Sequence, residues 1–200
     1  MSRTEDVALT ERIIAAARVL WHRGGEKSLT LRAVAKAAKT TTPSVYQRFA
    51  TKEDLVLALA RRYQQEWSRE IMSSPSLGAG AELLLDMVQK LPHEYIFFFG
   101  THWGTLFERG KPRPAFDWAK VQLAKRHGGS AEQYHSHAWA ILLLLHGASQ
   151  LLSTQPPPAL AEEVRENCLR ACAAVVSHPE LVGKATAHSK PRASRKPRHR

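Results

Sequence analysis

The chain has 200 residues, 44% of them hydrophobic, enough for a real core and too apolar for an intrinsically disordered protein. Its longest apolar run, Ala138 to Leu145, is far short of the roughly 20 residues that a membrane-spanning helix needs. No apolar signal segment follows the charged start MSRTED, and Cys168 and Cys172 are too few for a secreted disulfide framework. The chain therefore reads as soluble and cytoplasmic.

The net charge of +11 is concentrated at the two ends. Residues 1–67 carry 12 Lys/Arg against 7 Asp/Glu, residues 68–182 carry 10 against 11, and residues 183–200 carry 7 against none. A basic front followed by a near-neutral middle suits a protein whose first segment meets a polyanion.

The periodicity is helical almost throughout, and no hairpin signal occurs. Ile13, Ile14, Ala17, Leu20 and Trp21 recur at three- and four-residue steps, so a first helix is expected over 8–22, stopped by Gly24 and Gly25. Thr30 caps a short second helix with Leu31, Val34, Ala35 and Ala38 inward. A third starts at Thr41 or Thr42 with Pro43 in its first turn, burying Val45 and Phe49. Thr51, with Asp54 three residues on, opens a fourth that runs to about Met72. The stretch Ser73 to Gly80 (SSPSLGAG) interrupts the pattern and sets a domain boundary. Helices follow near 81–91, 94–108, 114–127, 131–153 and 159–177, separated by Pro and Gly. Residues 183–200, basic and Pro-punctuated, read as a disordered tail.

Residues 35–55, AKAAKTTTPSVYQRFATKEDL, carry the functional signal. Two short helices joined by a three- or four-residue turn let the second enter the major groove. Val45 and Phe49 supply its buried side. Thr41, Thr42, Ser44, Gln47 and Arg48 supply donors and acceptors for bases and phosphates.

At these residues the sequence resembles the tetracycline-repressor (TetR) family. The resemblance rests on a helix ending Ala-x-x-Ala, a turn, a Thr-capped helix, the aromatics Tyr46 and Phe49, and then Thr51-Lys52-Glu53-Asp54-Leu55. It spans residues 8–67, and HAWAILLLLHGASQLL, residues 137–152, is similar to the penultimate long helix of some members. It implies an all-α chain with an N-terminal three-helix helix-turn-helix domain (1–72) and a C-terminal helical ligand-binding and dimerisation domain (73–182). It implies a sequence-specific regulator, a repressor released by a small-molecule effector, acting as a homodimer on palindromic double-stranded DNA, with no cofactor.

Position by position, the resemblance places Thr41, Thr42, Pro43 and Ser44 at the start of the recognition helix. Tyr46 is its backbone-contacting aromatic and Gln47 a base-reading residue. Lys52, at a helix N-terminus that ordinarily disfavours cations, is a phosphate contact, as are Thr30 and Arg32. Thr40 and Arg48 complete the DNA-facing set. The chain departs from the family at Lys39, where a turn glycine is usual, and at Thr40, where an apolar residue is usual. Either Lys39 is left-handed, at a cost of about 1 kcal/mol relative to glycine, or the turn adopts another geometry.

Other constellations carry less. His135 and His137 are two apart on a helix and cannot chelate one ion together, so no metal site is expected. No P-loop, nucleophile elbow or HExxH occurs, and an enzyme is not expected. Cys168 and Cys172, four apart on the last helix, read as buried structural thiols, with redox sensing as the alternative. An effector pocket is expected among Phe98, His102, Trp103, Phe107, Trp118, Trp139 and His146, whose histidines are otherwise core residues. Leu142, Leu143, Leu145, Leu151 and Leu152 are too many for one small core, which points to a dimer through 131–153 and 159–177. The alternative function is nonspecific nucleic-acid binding aided by the basic tail.

Overall fold

The computed structural model describes residues 3–97 and 112–182, and among these no strand occurs: the fold is all-α. The expected helix over 94–108 and the pocket candidates Phe98, His102, Trp103 and Phe107 lie largely or wholly outside the described residues, as does the tail 183–200.

Helix α1, Arg3–Ser28, is longer than the sequence pattern suggests. It is broken where the stop was expected, with Gly25 at φ +59°, and then resumes for a short turn. That turn is held by the Ser28 hydroxyl, which donates to the carbonyls of Leu20 (2.5 Å) and Gly25 (2.8 Å). Helices α2 (Leu31–Ala37), α3 (Thr42–Tyr46) and α4 (Lys52–Met72) complete the front of the molecule. Each begins on the expected threonine. Thr30, Thr41 and Thr51 accept from the backbone N–H of Ala33, Ser44 and Asp54, and the Asp54 carboxylate accepts in return from the Thr51 N–H. Ile13, Ala17, Leu29, Val34, Val45, Leu55 and Leu59 are closed off from solvent around one core.

Helix α5 spans Leu77–Lys90, four residues earlier than expected, because Ser76 caps it through the Ala79 N–H. SSPSLGAG is thus half turn and half helix. Gly80 is where α5 meets α7 (Pro114–His127): a Cβ there would sit 3.3 Å from both Ile71 Cγ2 and Trp118 Cη2. Helix α6 is the single turn Pro92–Tyr95. The expected helix at 131 begins as a 3-10 turn, Ala131–Tyr134, and becomes α8 at His135–Ser153, followed by α9 at Pro158–Ser177. Trp67, Leu85, Val88, Tyr95, Leu123, Ile141, Leu145, Leu152, Cys168 and Cys172 form the second core. Of the six leucines on α8, Leu145 and Leu152 are buried in that core, whereas Leu143 and Leu151 are 59% and 56% exposed.

The two cores are joined at more than one place. Helix α4 contributes Leu55, Leu59 and Tyr63 to the first and Trp67 to the second. Phe97, just after α6, is buried in the first core, with its ring 4.1 Å from Trp21 and 6.0 Å from Tyr63. Beside it the carboxylate of Glu94, 3% exposed, receives Arg18 Nη2 at 3.1 Å and lies 2.9 Å from His22 Nε2. Arg18 also reaches Glu66 at 3.0 Å and sits 4.8 Å from the centre of the Tyr63 ring. Burial and the Glu94 charge push the Tyr63 phenol upward. The neighbouring Tyr95 turns the other way, toward Trp67, and its hydroxyl meets His146 Nδ1 at 2.7 Å.

Candidate nucleic-acid interface

The α2–turn–α3 unit is built by local rules. Helix α2 closes with the Ala38 N–H on Val34 O and the Thr40 N–H on Ala35 O, at 2.8 and 3.0 Å. Lys39 between them adopts φ +53°, the left-handed one of the two conformations left open by the sequence. Thr41 then starts α3, and its hydroxyl is shared with Ser44 Oγ at 2.8 Å. A five-residue helix has no independent stability. It is fixed by this cap and by Val45 and Phe49, 0% and 7% exposed, which anchor it to the first core.

Its outer side is free. Tyr46 is 53% exposed, so its ring is no part of the core, and Gln47, Thr41 and Pro43 are also exposed. Thr30, Arg32, Thr40, Thr41 and Thr42 surround one shallow concavity between α2 and α3. That concavity also contains Lys36, a residue the sequence reading missed. Its signal was available: Lys36 stands four residues after Arg32 on the same face of α2.

Two expected contact residues are engaged within the protein. The Arg48 guanidinium, 11% exposed, donates to Ser44 O at 2.9 Å and is ion-paired to Asp6 on α1. Lys52 Nζ donates to the backbone carbonyl of Glu26 at 3.1 Å and to its carboxylate at 3.2 Å. It is 34% exposed and could reach a phosphate by exchanging that surface carboxylate for another oxyanion.

Of the described pocket candidates, Trp118 lies against Gly80, whereas Trp139 packs edge-on to Phe116 at 5.3 Å and donates from Nε1 to His135 Nε2 at 3.1 Å. His146 is bonded to Tyr95, and partial burial pulls its imidazole below the ordinary histidine value. Cys168 and Cys172 are both free and buried. No group of three or more His, Cys, Asp or Glu that could hold a metal occurs among the described residues.

A helical front with a capped helix-turn-helix, exposed hydroxyl, amide and guanidinium groups and a net positive charge is a DNA-binding head, here attached to a second helical body. Residues 13–59 match the family described as bacterial regulatory proteins, tetR family. The fold is similar to that of a TetR-family transcriptional regulator from Haemophilus influenzae, at TM-score 0.55 and 20% identity over 84% of this chain and 98% of that one. It is also similar to the multidrug binding protein EbrR, solved with proflavin, at TM-score 0.52 and 25% identity over 82% of this chain and 99% of that one. No curated protein matches the chain. The front of the chain thus carries a tetR-family DNA-binding segment, and the described chain shares the all-α fold of solved TetR-family regulators.

Proposed function

We propose that the protein is a cytoplasmic homodimeric repressor that places two α3 helices on a palindromic operator and lets go when a small molecule binds its helical body. The observation that carries the reading is the division of α3, with Val45 sealed inside and Thr41, Tyr46 and Gln47 outside. In this assignment Gln47 reads a base edge. Tyr46, Lys52, Thr30, Arg32 and Lys36 hold phosphates, with Thr40, Thr42, Pro43, Ser44 and Arg48 setting the turn and helix against the backbone.

Dimerisation is assigned to α8 and α9. Leu143, Leu151 and Leu160 are 59%, 56% and 48% exposed, and a groove runs between the two helices past Leu144, Ala148, Val164 and Ala171. Covering such a face against its own copy also sets two reading heads at the separation of successive major grooves, about 34–36 Å. Among the described residues no helix is long and apolar enough to cross a membrane. The relative EbrR, solved with proflavin, lends support to a small-molecule effector. The effector pocket is assigned to the aromatic region from Phe98 to Phe107 together with Trp118, Trp139 and His146.

Release would travel by two routes. One is α4, which begins at Lys52 beside the DNA and ends in the body. The other is the Glu94–Phe97 segment, whose side chains dock on α1 and α4 while Tyr95 reaches His146. Footprinting on genomic DNA tests the whole reading: a discrete two-fold site is expected. A featureless smear would favour nonspecific binding instead. Sedimentation showing a monomer at micromolar concentration would remove the dimer.

A further inference from the structure

A cleft of about 680 Å³ opens on the body, between the Pro75–Gly78 entry to α5, the end of α7 and the C-terminal half of α9. Small-molecule sites commonly enclose 300–1,000 Å³. Its floor is apolar, with Ala81, Ile141 and Cys172 buried and Leu169 beside them. The Cys172 thiol is pushed upward by its hydrogen bond with Cys168 and by burial, so the floor holds no charge.

The rim is different. Lys125, Arg126 and Arg170 stand on it against a single carboxylate, Glu82. Lys125 and Arg126 have no ion-pair partner among the described residues, and Arg170 has only the exposed Glu166 at 3.7 Å. Lys125 and Arg126 lie in the last turn of α7, where cations suit the helix dipole. That explanation does not extend to Arg170, which lies inside α9.

The cleft is also separate from the face assigned to the dimer. Leu169, Ala173 and Val176 recur at four- and three-residue steps and line the cleft, whereas Val164, Asn167 and Ala171 line the groove toward α8. At 100° per residue these two sets point to opposite sides of α9. A partner copy on the α8–α9 face would therefore leave the cleft open.

We propose that this cleft is a binding site for an amphipathic carboxylate, its hydrocarbon or aromatic body on the Ala81–Ile141–Leu169 floor and its charge against Lys125, Arg126 and Arg170. An apolar floor of this size rewards burial of a hydrocarbon body. The excess of cations on the rim selects an anion over a neutral or cationic molecule of the same shape.

Calorimetric titration of the full chain with decanoate, decanol and decyltrimethylammonium tests the site. Decanoate should bind about tenfold or more tightly than either of the others, since three rim pairs together are worth roughly 1.4 kcal/mol. The double variant Lys125→Glu/Arg126→Glu should lose decanoate affinity by about the same factor and keep its affinity for decanol. Ala173→Trp, at an exposed wall position, should block all three. Thermal melts of each variant guard against misfolding, and the surface variant Arg170→Gln, expected to weaken decanoate alone, decides the matter if the double variant does not fold. Absence of decanoate binding, equal binding of the three probes, or undiminished affinity in the charge variants would overturn the proposal. Operator binding, measured in parallel by anisotropy, separates this outcome from the fate of the repressor reading: intact operator binding without decanoate binding removes the cleft alone.

Discussion

Glu94 offers a direct test of how the head and the body are joined. Its carboxylate is 3% exposed and receives Arg18, 76 residues away in sequence, at 3.1 Å. A hydrogen bond to a charged group is worth about 1.5–3 kcal/mol. Arg18 is 39% exposed and keeps Glu66 as a second partner, so solvent screening and that partner reduce the figure to about 1–2 kcal/mol. The assay is a double-mutant cycle on urea unfolding with Arg18→Ala, Glu94→Ala and the pair. The coupling energy should be about 1–2 kcal/mol. Glu94→Gln, which keeps the shape and one acceptor, should lower Tm by roughly 2–6 °C. A second readout separates docking from mere stability. If the Pro92–Phe97 segment transmits the effector signal, Glu94→Gln should weaken the change in operator affinity on effector binding more than operator affinity itself. A coupling energy within about 0.3 kcal/mol of zero would refute the reasoning, because contacting residues that share a buried charge cannot be additive.

The other predictions concern single positions. Lys52→Ala should weaken binding to all DNA sequences and lower the salt slope by about 1, whereas Gln47→Ala should cost roughly 1–3 kcal/mol at one base position; equal losses on operator and random DNA for both would remove the assignment. Lys39→Gly relieves the left-handed strain at φ +53° and should raise stability by about 0.5 kcal/mol, with a drop in Tm counting against that geometry. Gly80→Val must push its side chain toward Ile71 and Trp118 and should destabilise by about 1–3 kcal/mol; an unchanged melt would mean that α5 and α7 can move apart freely. His146 is held below its ordinary pKa by burial, so the unfolded chain takes up its proton more readily. Stability should therefore be full at neutral pH and fall as pH drops below about 6.5, and His146→Gln should flatten that slope.

Local chemistry was readable from the sequence, and long-range chemistry was not. The three threonine caps and the buried pair Val45 and Phe49 each depend on residues within a few positions of one another, and each is present, while the sequence left the geometry at Lys39 open between two alternatives. Helix α5 was read as starting at residue 81 because SSPSLGAG has loop composition. The structure uses Gly80 inside the helix, for a contact with Trp118 that only the fold reveals. Arg18 and Glu94 are ordinary charges on paper and form a partly buried pair only after α6 docks. For the same reason the docking of Phe97 in the first core, a link between head and body besides α4, has no signature in the sequence. The cleft draws its walls from four stretches of chain, so no spacing could announce it. Asp6 and Glu26, which hold Arg48 and Lys52, are equally remote from the residues they hold.

The shortness of α3 has an evolutionary consequence. Five residues cannot sustain a helix unaided, and what keeps this one in place is its cap and two inward side chains. Folding information and reading information are therefore written on different residues. In the proposed assignment Gln47 can change without disturbing Val45, Phe49 or the Thr41 cap, so drift at that outer position would alter which DNA is bound and leave the scaffold untouched. A lineage built on this head can acquire new target sites by one or two substitutions, with no need to pass through a misfolded ancestor.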